Sequence, residues 1–222
     1  MSEDTKAGGY FRNERPEMLA FVPKDARLIL DVGCGSGTFG AALRRELPGA
    51  EVWGVEPDPV AQQEASKQLD RSFAGSFDER LGLQEAHFDA VVFNDSLEHF
   101  PDHVPPLKLA HQLLKPGGSL VASIPNVRYW PHLRRYVFGG DWRYEDSGIL
   151  DRTHLRFFTL RSIERTLKEA AFEASRVEGI TPCWQGTRLK VSRALMPAAM
   201  QDILYLQFAV VARRRDTLLG PQ

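Results

Sequence analysis

The sequence is poor in cysteine, in net charge and in long apolar segments, and each shortage excludes a class of protein. Its 222 residues include two cysteines, Cys34 and Cys183, too few for a disulfide framework or a four-cysteine zinc site. A formal net charge of −1 argues against a general nucleic-acid-binding domain, which is typically strongly basic. The best apolar run, residues 203–212, is far shorter than the ~20 residues that cross a bilayer.

The N-terminal residues lack the apolar core of a signal peptide. We therefore expect a cytoplasmic protein with no membrane span and no nucleic-acid partner, acting as a monomer or homodimer. Hydrophobic residues make up 43% of the chain and charged residues 26%, which is typical of a globular domain. We expect one domain over residues 1–222, with an N-terminal helical cover over 1–22 and an insertion over 125–158.

Short apolar runs rich in β-formers alternate with helical patterns, which is typical of an α/β fold with a parallel sheet. Strands are predicted over residues 28–32, 51–55, 71–74, 88–94 and 119–124, and helices over 39–47, 59–69 and 107–114. After the insertion, a helix over 160–171 begins near Thr159, a suitable cap. Strands over 173–177 and 203–211 are expected to finish the sheet as an antiparallel pair at one edge.

A glycine-rich loop, residues 31–37, lies directly after the first predicted strand and before a helix. Residues 35–40 also fit the dinucleotide fingerprint G-x-G-x-x-G, so a nicotinamide or flavin enzyme is one alternative. Asp31 favours a different cofactor. Its negative charge would not stabilise a pyrophosphate, but it would attract the ammonium group of a cofactor that carries an amino acid. Glu56 is placed to accept both ribose hydroxyls of an adenosine in either case. The turn at 115–118, leading into the fifth strand, is not required by nicotinamide folds.

Four motifs in one order, LDVGCGSG, VEPD, FDAVVFNDSLEHF and LLKPGGSLVASIPN, resemble the class I S-adenosylmethionine-dependent methyltransferases. The resemblance covers residues 28–172, and the four together are far more specific than any one alone. It implies a Rossmann-like seven-stranded mixed sheet flanked by helices, with a substrate-side insertion after the fifth strand. It also implies S-adenosylmethionine as the cofactor, lying across the carboxyl ends of the first strands, and a small-molecule acceptor.

The resemblance further implies which residues bind the cofactor. The glycine loop would line its methionine part, Asp31 would serve that part electrostatically or through water, and Glu56 would hold the ribose. Pro57 and Asp58 would flank the adenine, and the residues ending the fourth strand would lie near the sulfonium. The cofactor-binding set predicted in this way is Asp31, Gly33, Cys34, Gly35, Gly37, Glu56, Pro57, Ser76, Phe77, Asn94 and Ser96.

One position departs from the family pattern. Many members carry an acidic residue after the third strand that contacts the adenine amino group, and Ser76 stands there in this chain. Either Ser76 replaces the acid, with Phe77 supplying a backbone N–H, or Asp78 shifts into its place.

Two histidines are the catalytic candidates. Methyl transfer from a sulfonium is an in-line displacement, so the enzyme mainly positions the acceptor, and a base is needed only if the acceptor must lose a proton. His99 follows the fourth strand, and His154 lies in the insertion. The alternative for the first is that His99 or Glu98 simply caps the following loop.

A metal site is the less favoured interpretation of the same segment. Asp95, Glu98 and His99 have the spacing D-x-x-E-H, which resembles an acidic-plus-histidine cluster of some RNA 2′-O-methyltransferases. Such a site needs a further ligand with support behind it, and the same Glu-His pair occurs in metal-free small-molecule methyltransferases. The sequence alone therefore predicts no metal.

The insertion is where acceptor specificity is expected, because binding loops sit on a rigid scaffold. It holds eight of the chain's 22 aromatics, and its basic residues are all arginine. Its predicted substrate-binding residues are Arg128, Tyr129, Trp130, Arg152 and Arg156. The alternative is an ordinary lid whose aromatics form a small core and whose arginines pair with nearby acids.

The run GILDRTHLRFFT resembles bacterial methyltransferases associated with glycan or surface-polysaccharide assembly. It implies O-methylation of a sugar-containing or anionic acceptor. The alternatives are a nicotinamide-dependent oxidoreductase and a catalytically inactive cofactor-binding scaffold. Tyr10 and Arg12, in the N-terminal cover, are further candidates for ligand contact.

Overall fold

The computed structural model describes residues 14–215. The strands are β1 Leu28–Val32, β2 Glu51–Glu56, β3 Arg71–Ala74, β4 Phe88–Asn94, β5 Leu114–Pro125, β6 Phe172–Pro182 and β7 Tyr205–Arg214. The helices are α1 Pro16–Leu19, α2 Thr38–Glu46, α3 Pro59–Ala65, α4 Val104–Leu113, α5 Trp130–Gly139, α6 Leu160–Glu169 and α7 Gly186–Leu195. Short 3₁₀ helices cover Glu79–Leu81, Leu97–His99 and Ala198–Leu204.

The seven strands form one mixed sheet in the order β3-β2-β1-β4-β5-β7-β6. The first five pair in parallel, and β7 runs antiparallel to both β5 and β6. The predicted fold, including the antiparallel edge pair, is confirmed. The strand order reverses between β1 and β4, and in open α/β sheets a ligand binds at the carboxyl ends of the strands at such a point.

The core lies on both faces of the sheet, which explains why the central strands are mostly apolar on both faces. Successive residues of β1 point to opposite faces. Ile29 therefore belongs to one buried cluster, with Leu43, while Leu30 belongs to the other, with Phe93 and Phe172.

Several elements differ from the sequence prediction, among them helix α5 inside the insertion, which is not predicted. The residues predicted as a turn at 115–118 lie inside β5, where the pairing with β4 shifts register between Phe88 and Ala90. Strand β6 continues to Pro182, well past its predicted end. Helix α7 is not predicted because none of its residues is buried, so it shows no apolar stripe.

The capped helix α6 begins as predicted. The Thr159 hydroxyl accepts a hydrogen bond from the Ser162 N–H at 3.2 Å, and the Ser162 hydroxyl accepts one from the Thr159 N–H at 2.8 Å. Of the predicted N-terminal cover, residues 14–22 are described and Tyr10 and Arg12 lie outside the described residues. Within residues 14–215, no helix has the length and apolar character needed to cross a membrane.

Candidate active site

The glycine loop turns sharply at the carboxyl end of β1. Gly33, Gly35 and Gly37 all adopt positive φ angles, of 76°, 54° and 83°, a region that favours glycine. A Cβ atom on Gly33 would lie 2.9 Å from the Cβ of Ser96. The absence of a side chain at Gly33 therefore lets the ends of β1 and β4 come into direct contact.

Glu56, at the end of β2, joins the two loops beside it. Its Oε2 accepts a hydrogen bond from the Gly35 N–H at 2.8 Å, and its Oε1 accepts one from the Asp58 N–H at 2.9 Å. Burial raises the pKa of Glu56. Each carboxylate oxygen keeps a second lone pair, so the group can still accept from the two hydroxyls of a ribose.

Asp31 is a buried carboxyl group at the same edge of the sheet, 1% exposed. Burial, together with the nearby Glu56 carboxylate, raises the pKa of Asp31 to about 7. Its Oδ2 has no hydrogen-bond partner among the described residues. A buried carboxyl is stabilised in its charged form by a cationic partner, which matches the expected role toward an ammonium group.

The raised pKa of Asp31 predicts that the protein without ligand loses stability as the pH rises from about 4 to 7. In this window the native carboxyl keeps its proton while the unfolded one, with an ordinary pKa of 3.8, has lost it. The free energy of unfolding then falls by about 1.4 kcal/mol per pH unit, roughly 4 kcal/mol in all, from this group. We expect Asp31→Asn to remove that part of the slope in denaturant titrations at several pH values. The exposed Asp25→Asn should keep it, and equal slopes in the wild type and Asp31→Asn would contradict the prediction.

Asn94 and Ser96 close the site from β4. Both amide atoms of Asn94 and the hydroxyl of Ser96 are buried and have no hydrogen-bond partner within residues 14–215. Buried polar atoms are nearly always hydrogen-bonded in proteins, so such atoms at the end of a strand indicate a ligand. Their position beside Gly33 agrees with the predicted cofactor site.

Asp95, between them, is engaged within the protein. It adopts a positive φ of 48°, and its Oδ1 accepts hydrogen bonds from the Ser123 hydroxyl at 2.9 Å and from the Gln207 amide at 2.8 Å. Its Oδ2 forms an ion pair with Arg15, which is itself buried. Asp95 therefore connects the segment before α1 to the carboxyl edge of the sheet, and both of its carboxylate oxygens already have partners.

The adenine side is more open. Pro57 and Ser76 are exposed, and the Phe77 ring is buried, meeting the edge of Phe93 at 5.8 Å. The Phe77 ring thus belongs to the core, which agrees with a backbone role for this residue. Asp78 accepts from the Arg80 N–H and forms an ion pair with its guanidinium. This engagement favours Ser76 over Asp78 as the replacement for the usual acid.

Cys34 packs into the protein rather than toward the crevice. A Cβ on Gly54 of β2 would lie 2.5 Å from the Cys34 Sγ, so the thiol occupies the space that this glycine leaves. Burial raises the pKa of the Cys34 thiol well above its ordinary value, which leaves it unreactive. Any contact of Cys34 with a cofactor would come from its backbone.

His99 and His154, separated by 55 positions in the sequence, lie together. Their ring centroids are 4.9 Å apart, edge to face. The buried Glu98 lies beside them, with its Oε1 3.9 Å from the His154 Nε2. Burial raises the pKa of Glu98 to about 8 and, with His154 adjacent, lowers the pKa of His99.

The aromatics of the insertion form a small core around Trp142. Its ring meets those of His132, Tyr136 and Phe157 at centroid distances of 5.2, 5.4 and 5.2 Å. Tyr129 and Trp130 are half-buried at the start of α5. This arrangement agrees with the lid alternative for Tyr136, Trp142 and Phe157, whereas Phe138 is 78% exposed.

The predicted substrate-binding arginines have partners in the protein. Arg128 pairs with Asp202 at 2.8 Å, and the exposed Arg152 approaches Asp146 at 3.3 Å. Arg156 donates to the Pro101 carbonyl oxygen. A cavity of about 450 Å³ within the insertion is lined by Arg135, Asp141, Arg143, Tyr144, Glu145, Asp146 and Arg152. Of the predicted substrate-binding residues, Arg152 lines this cavity. No residue of the glycine loop is among the lining residues.

Comparison with known proteins identifies the family of this chain. The family described as "Methyltransferase domain" matches residues 7–176. The chain belongs to this methyltransferase family. As the motifs predict, it is an S-adenosylmethionine-dependent methyltransferase domain with S-adenosylmethionine as the methyl donor, and the nicotinamide alternative is set aside.

Curated relatives and solved structures of methyltransferases agree with this membership. Trans-aconitate 2-methyltransferase of Methylobacterium radiotolerans is 35% identical over 140 residues, 60% of this chain and 54% of that protein. The mitochondrial ubiquinone biosynthesis O-methyltransferase of Rattus norvegicus is 31% identical over 172 residues, 71% of this chain and 48% of that protein. The chain spans about half the length of these relatives. A methyltransferase structure from Archaeoglobus fulgidus shares the fold, with a TM-score of 0.67, 20% identity and coverage of 89% of this chain and 91% of that one.

Sequence reasoning missed two features of the methyltransferase site. One is the buried network of Arg15, Asp95 and Gln207, whose members come from three distant segments. The other is the meeting of Glu98 with His154, which depends on the fold of the insertion. A signal for the second existed, because the sequence placed a histidine both after β4 and in the segment expected to cover it.

Proposed function

We propose that the protein transfers a methyl group from S-adenosylmethionine to an oxygen atom of a small anionic acceptor. The observation that carries this proposal is the set of unpartnered polar groups at the ends of β1 and β4. The Asp31 carboxyl, the Asn94 amide and the Ser96 hydroxyl are buried beside the glycine loop. The carboxyl group can pair with the ammonium group of the cofactor's amino acid part. The amide and the hydroxyl offer that part hydrogen-bond donors and acceptors.

The acceptor class is supported by the names of two relatives. One acts on trans-aconitate, a tricarboxylate, and the other is an O-methyltransferase of ubiquinone biosynthesis. Neither name refers to a glycan, so the sugar-containing acceptor suggested by the sequence gains no support from them. The abundance of arginine in the insertion is consistent with an anionic acceptor, although Arg128 and Arg152 would have to exchange their present partners for it.

The residues of this chain would act by binding and by excluding water. Asp31 would neutralise the ammonium group of the cofactor, Glu56 would hold its ribose, and the insertion would cover the acceptor. An anionic oxygen attacking a cationic sulfonium loses charge separation on the way to products, which a dry, low-dielectric site favours. A carboxylate acceptor is already ionised and needs no base, whereas a hydroxyl acceptor would need one.

We propose that His99 and His154 contact the acceptor. His99 follows β4 and His154 lies in the insertion, so the two side chains flank the place where the methyl group must leave the cofactor.

With labelled S-adenosylmethionine and a panel of tricarboxylates, phenolic acids and sugar acids, we expect transfer to a carboxylate or phenolic oxygen. His99→Ala and His154→Ala should each lower kcat by about 100-fold, because they misplace the acceptor.

Matched measurements separate this role from a structural one. The affinity for S-adenosylhomocysteine should stay within about twofold of wild type in both variants, and His87→Ala, at the opposite end of β4, should leave kcat unchanged. Transfer to no acceptor of the panel, by protein that binds S-adenosylhomocysteine, would favour the inactive scaffold. Unchanged kcat in both histidine variants would exclude the proposed contacts.

A further inference from the structure

Three side chains that could ligate one metal ion meet at the acceptor side of the site. Glu98, His99 and His154 each offer a ligand atom, and these atoms all lie within 4.8 Å of one another. Two ligands of a tetrahedral zinc ion lie roughly 3.4 Å apart, as follows from bond lengths of about 2.1 Å. Small side-chain movements would therefore bring the three atoms to coordination distance.

The two imidazoles are oriented as metal ligands are. The His154 Nδ1 lies 3.0 Å from the Ile149 carbonyl oxygen, and the His99 Nδ1 lies 3.2 Å from the Thr153 carbonyl oxygen. Since a carbonyl oxygen can only accept, each Nδ1 must donate to it, and in a neutral ring this leaves the lone pair on Nε2. Metal-bound histidines show this same arrangement, with the second ring nitrogen donating to a backbone carbonyl or carboxylate.

Glu98 is the independent observation that points to a ligand. Its side chain is 1% exposed, and neither carboxylate oxygen has a hydrogen-bond partner in the part of the chain that the structure describes. The 3.9 Å between its Oε1 and the His154 Nε2 is too long for a hydrogen bond. A carboxyl group so deeply buried either keeps its proton or is paired with a cation, and an ion held with the two histidines would supply that cation.

The surrounding charges are compatible with a cation. Arg15 acts electrostatically on Glu98, but its guanidinium forms ion pairs with both Asp95 and Glu17. The Glu98 backbone carbonyl accepts hydrogen bonds from the Leu155 N–H at 2.8 Å and the Arg156 N–H at 3.0 Å. These bonds hold the His154 segment against the 3₁₀ helix that carries the other two side chains.

We propose that Glu98, His99 and His154 form a binding site for a divalent transition-metal ion of the Zn²⁺ class. Two imidazoles and one carboxylate are typical of zinc and non-haem iron sites that keep positions open for a further ligand. Mg²⁺ prefers an all-oxygen set, so the site should discriminate against it. Asp95, Glu98 and His99 supply too few ligands for such a site, so the sequence alone predicts no metal. The fold engages Asp95 elsewhere and brings in His154 instead.

The site lies next to the cofactor crevice. Ser96, two residues before Glu98, touches Gly33 of the glycine loop. If the proposed function holds, a cation here would attract the oxygens of an anionic acceptor and act on them as a Lewis acid. Metal binding itself does not depend on that function, so the two can fail separately.

The test is a titration of tag-free, chelator-treated protein with Zn²⁺ and Co²⁺ alone, in the absence of cofactor and acceptor. We expect saturable binding of one ion per chain, with visible Co²⁺ absorption characteristic of a low coordination number, and no competition from an equal concentration of Mg²⁺. Glu98→Gln, His99→Ala and His154→Ala should each weaken binding by at least about 100-fold, since even residues behind the ligands contribute 10–100-fold.

His87→Ala is the control, because His87 precedes β4 and lies about 20 Å away at the far end of that strand. Thermal melting of each variant establishes that it is folded, and Glu98→Gln keeps the shape of the side chain. Absence of saturable binding in the wild type, or binding as tight as wild type in folded Glu98→Gln and His154→Ala, would overturn the proposal. Titration of the same samples with S-adenosylhomocysteine tests the cofactor site separately.

Discussion

Replacing Glu56 with alanine is expected to weaken S-adenosylhomocysteine binding by about 100-fold or more. The carboxylate accepts from Gly35 and Asp58 and would accept from both ribose hydroxyls. Hydrogen bonds to a charged group contribute about 1.5–3 kcal/mol each, so the loss of two corresponds to at least that factor. Isothermal calorimetry measures it directly.

A control on the same strand separates this effect from damage to β2. Glu51, the first residue of β2, is exposed and accepts a hydrogen bond from the Trp53 indole at 2.6 Å. Glu51→Ala should leave the affinity within about twofold of wild type. If Glu56→Ala remains folded and binds as tightly as Glu51→Ala, Glu56 does not hold the ribose.

Replacing Gly33 with alanine is expected to damage both stability and cofactor binding. The new Cβ would lie 2.9 Å from the Ser96 Cβ, and the residue would hold a φ of 76°. Overpacking costs about 1–3 kcal/mol and left-handed backbone about 1–2 kcal/mol, so we expect a loss of 2–5 kcal/mol in the free energy of unfolding. A displaced loop should also lower S-adenosylhomocysteine affinity by about 100-fold.

Two variants distinguish the collision from the backbone cost. Gly82 also has a positive φ, 61°, but nothing lies within 4 Å of a Cβ built on it. Gly82→Ala should therefore lower the free energy of unfolding through backbone strain alone. Adding Ser96→Gly to Gly33→Ala removes the colliding atom and should restore part of the lost stability. Equal losses in Gly33→Ala and Gly82→Ala, with no recovery in the double variant, would show that the strand ends do not meet as described.

The sequence was sufficient to predict the sheet because its information is local. Strands such as 28–32 and 88–94 are apolar runs bounded by turn residues, and their predicted limits agree with the structure. The sequence predicts the start of β5 five residues late, because residues 115–118 include turn formers that the fold accommodates in an irregular pairing. Tertiary pairing overrides local preference there.

The candidate site was predictable to the extent that its residues follow strands. Asp31, Glu56 and Asn94 lie at or next to the carboxyl ends of neighbouring parallel strands, so topology alone brings them to one edge. The partners of Arg128 and Asp95 and the histidine beside Glu98 cannot be predicted, because they depend on how the insertion and the C-terminal strands return to that edge. A spacing pattern carries no information on such long-range contacts.

Binding of S-adenosylmethionine by the polar groups at the ends of β1, β2 and β4 underlies every other role proposed for this site. Calorimetric titration of the wild-type protein with S-adenosylhomocysteine, with NAD⁺ as the comparison ligand, tests it. We expect one S-adenosylhomocysteine per chain and no measurable binding of NAD⁺. Absence of S-adenosylhomocysteine binding at high micromolar concentration, or binding unchanged in Gly35→Arg, would contradict it.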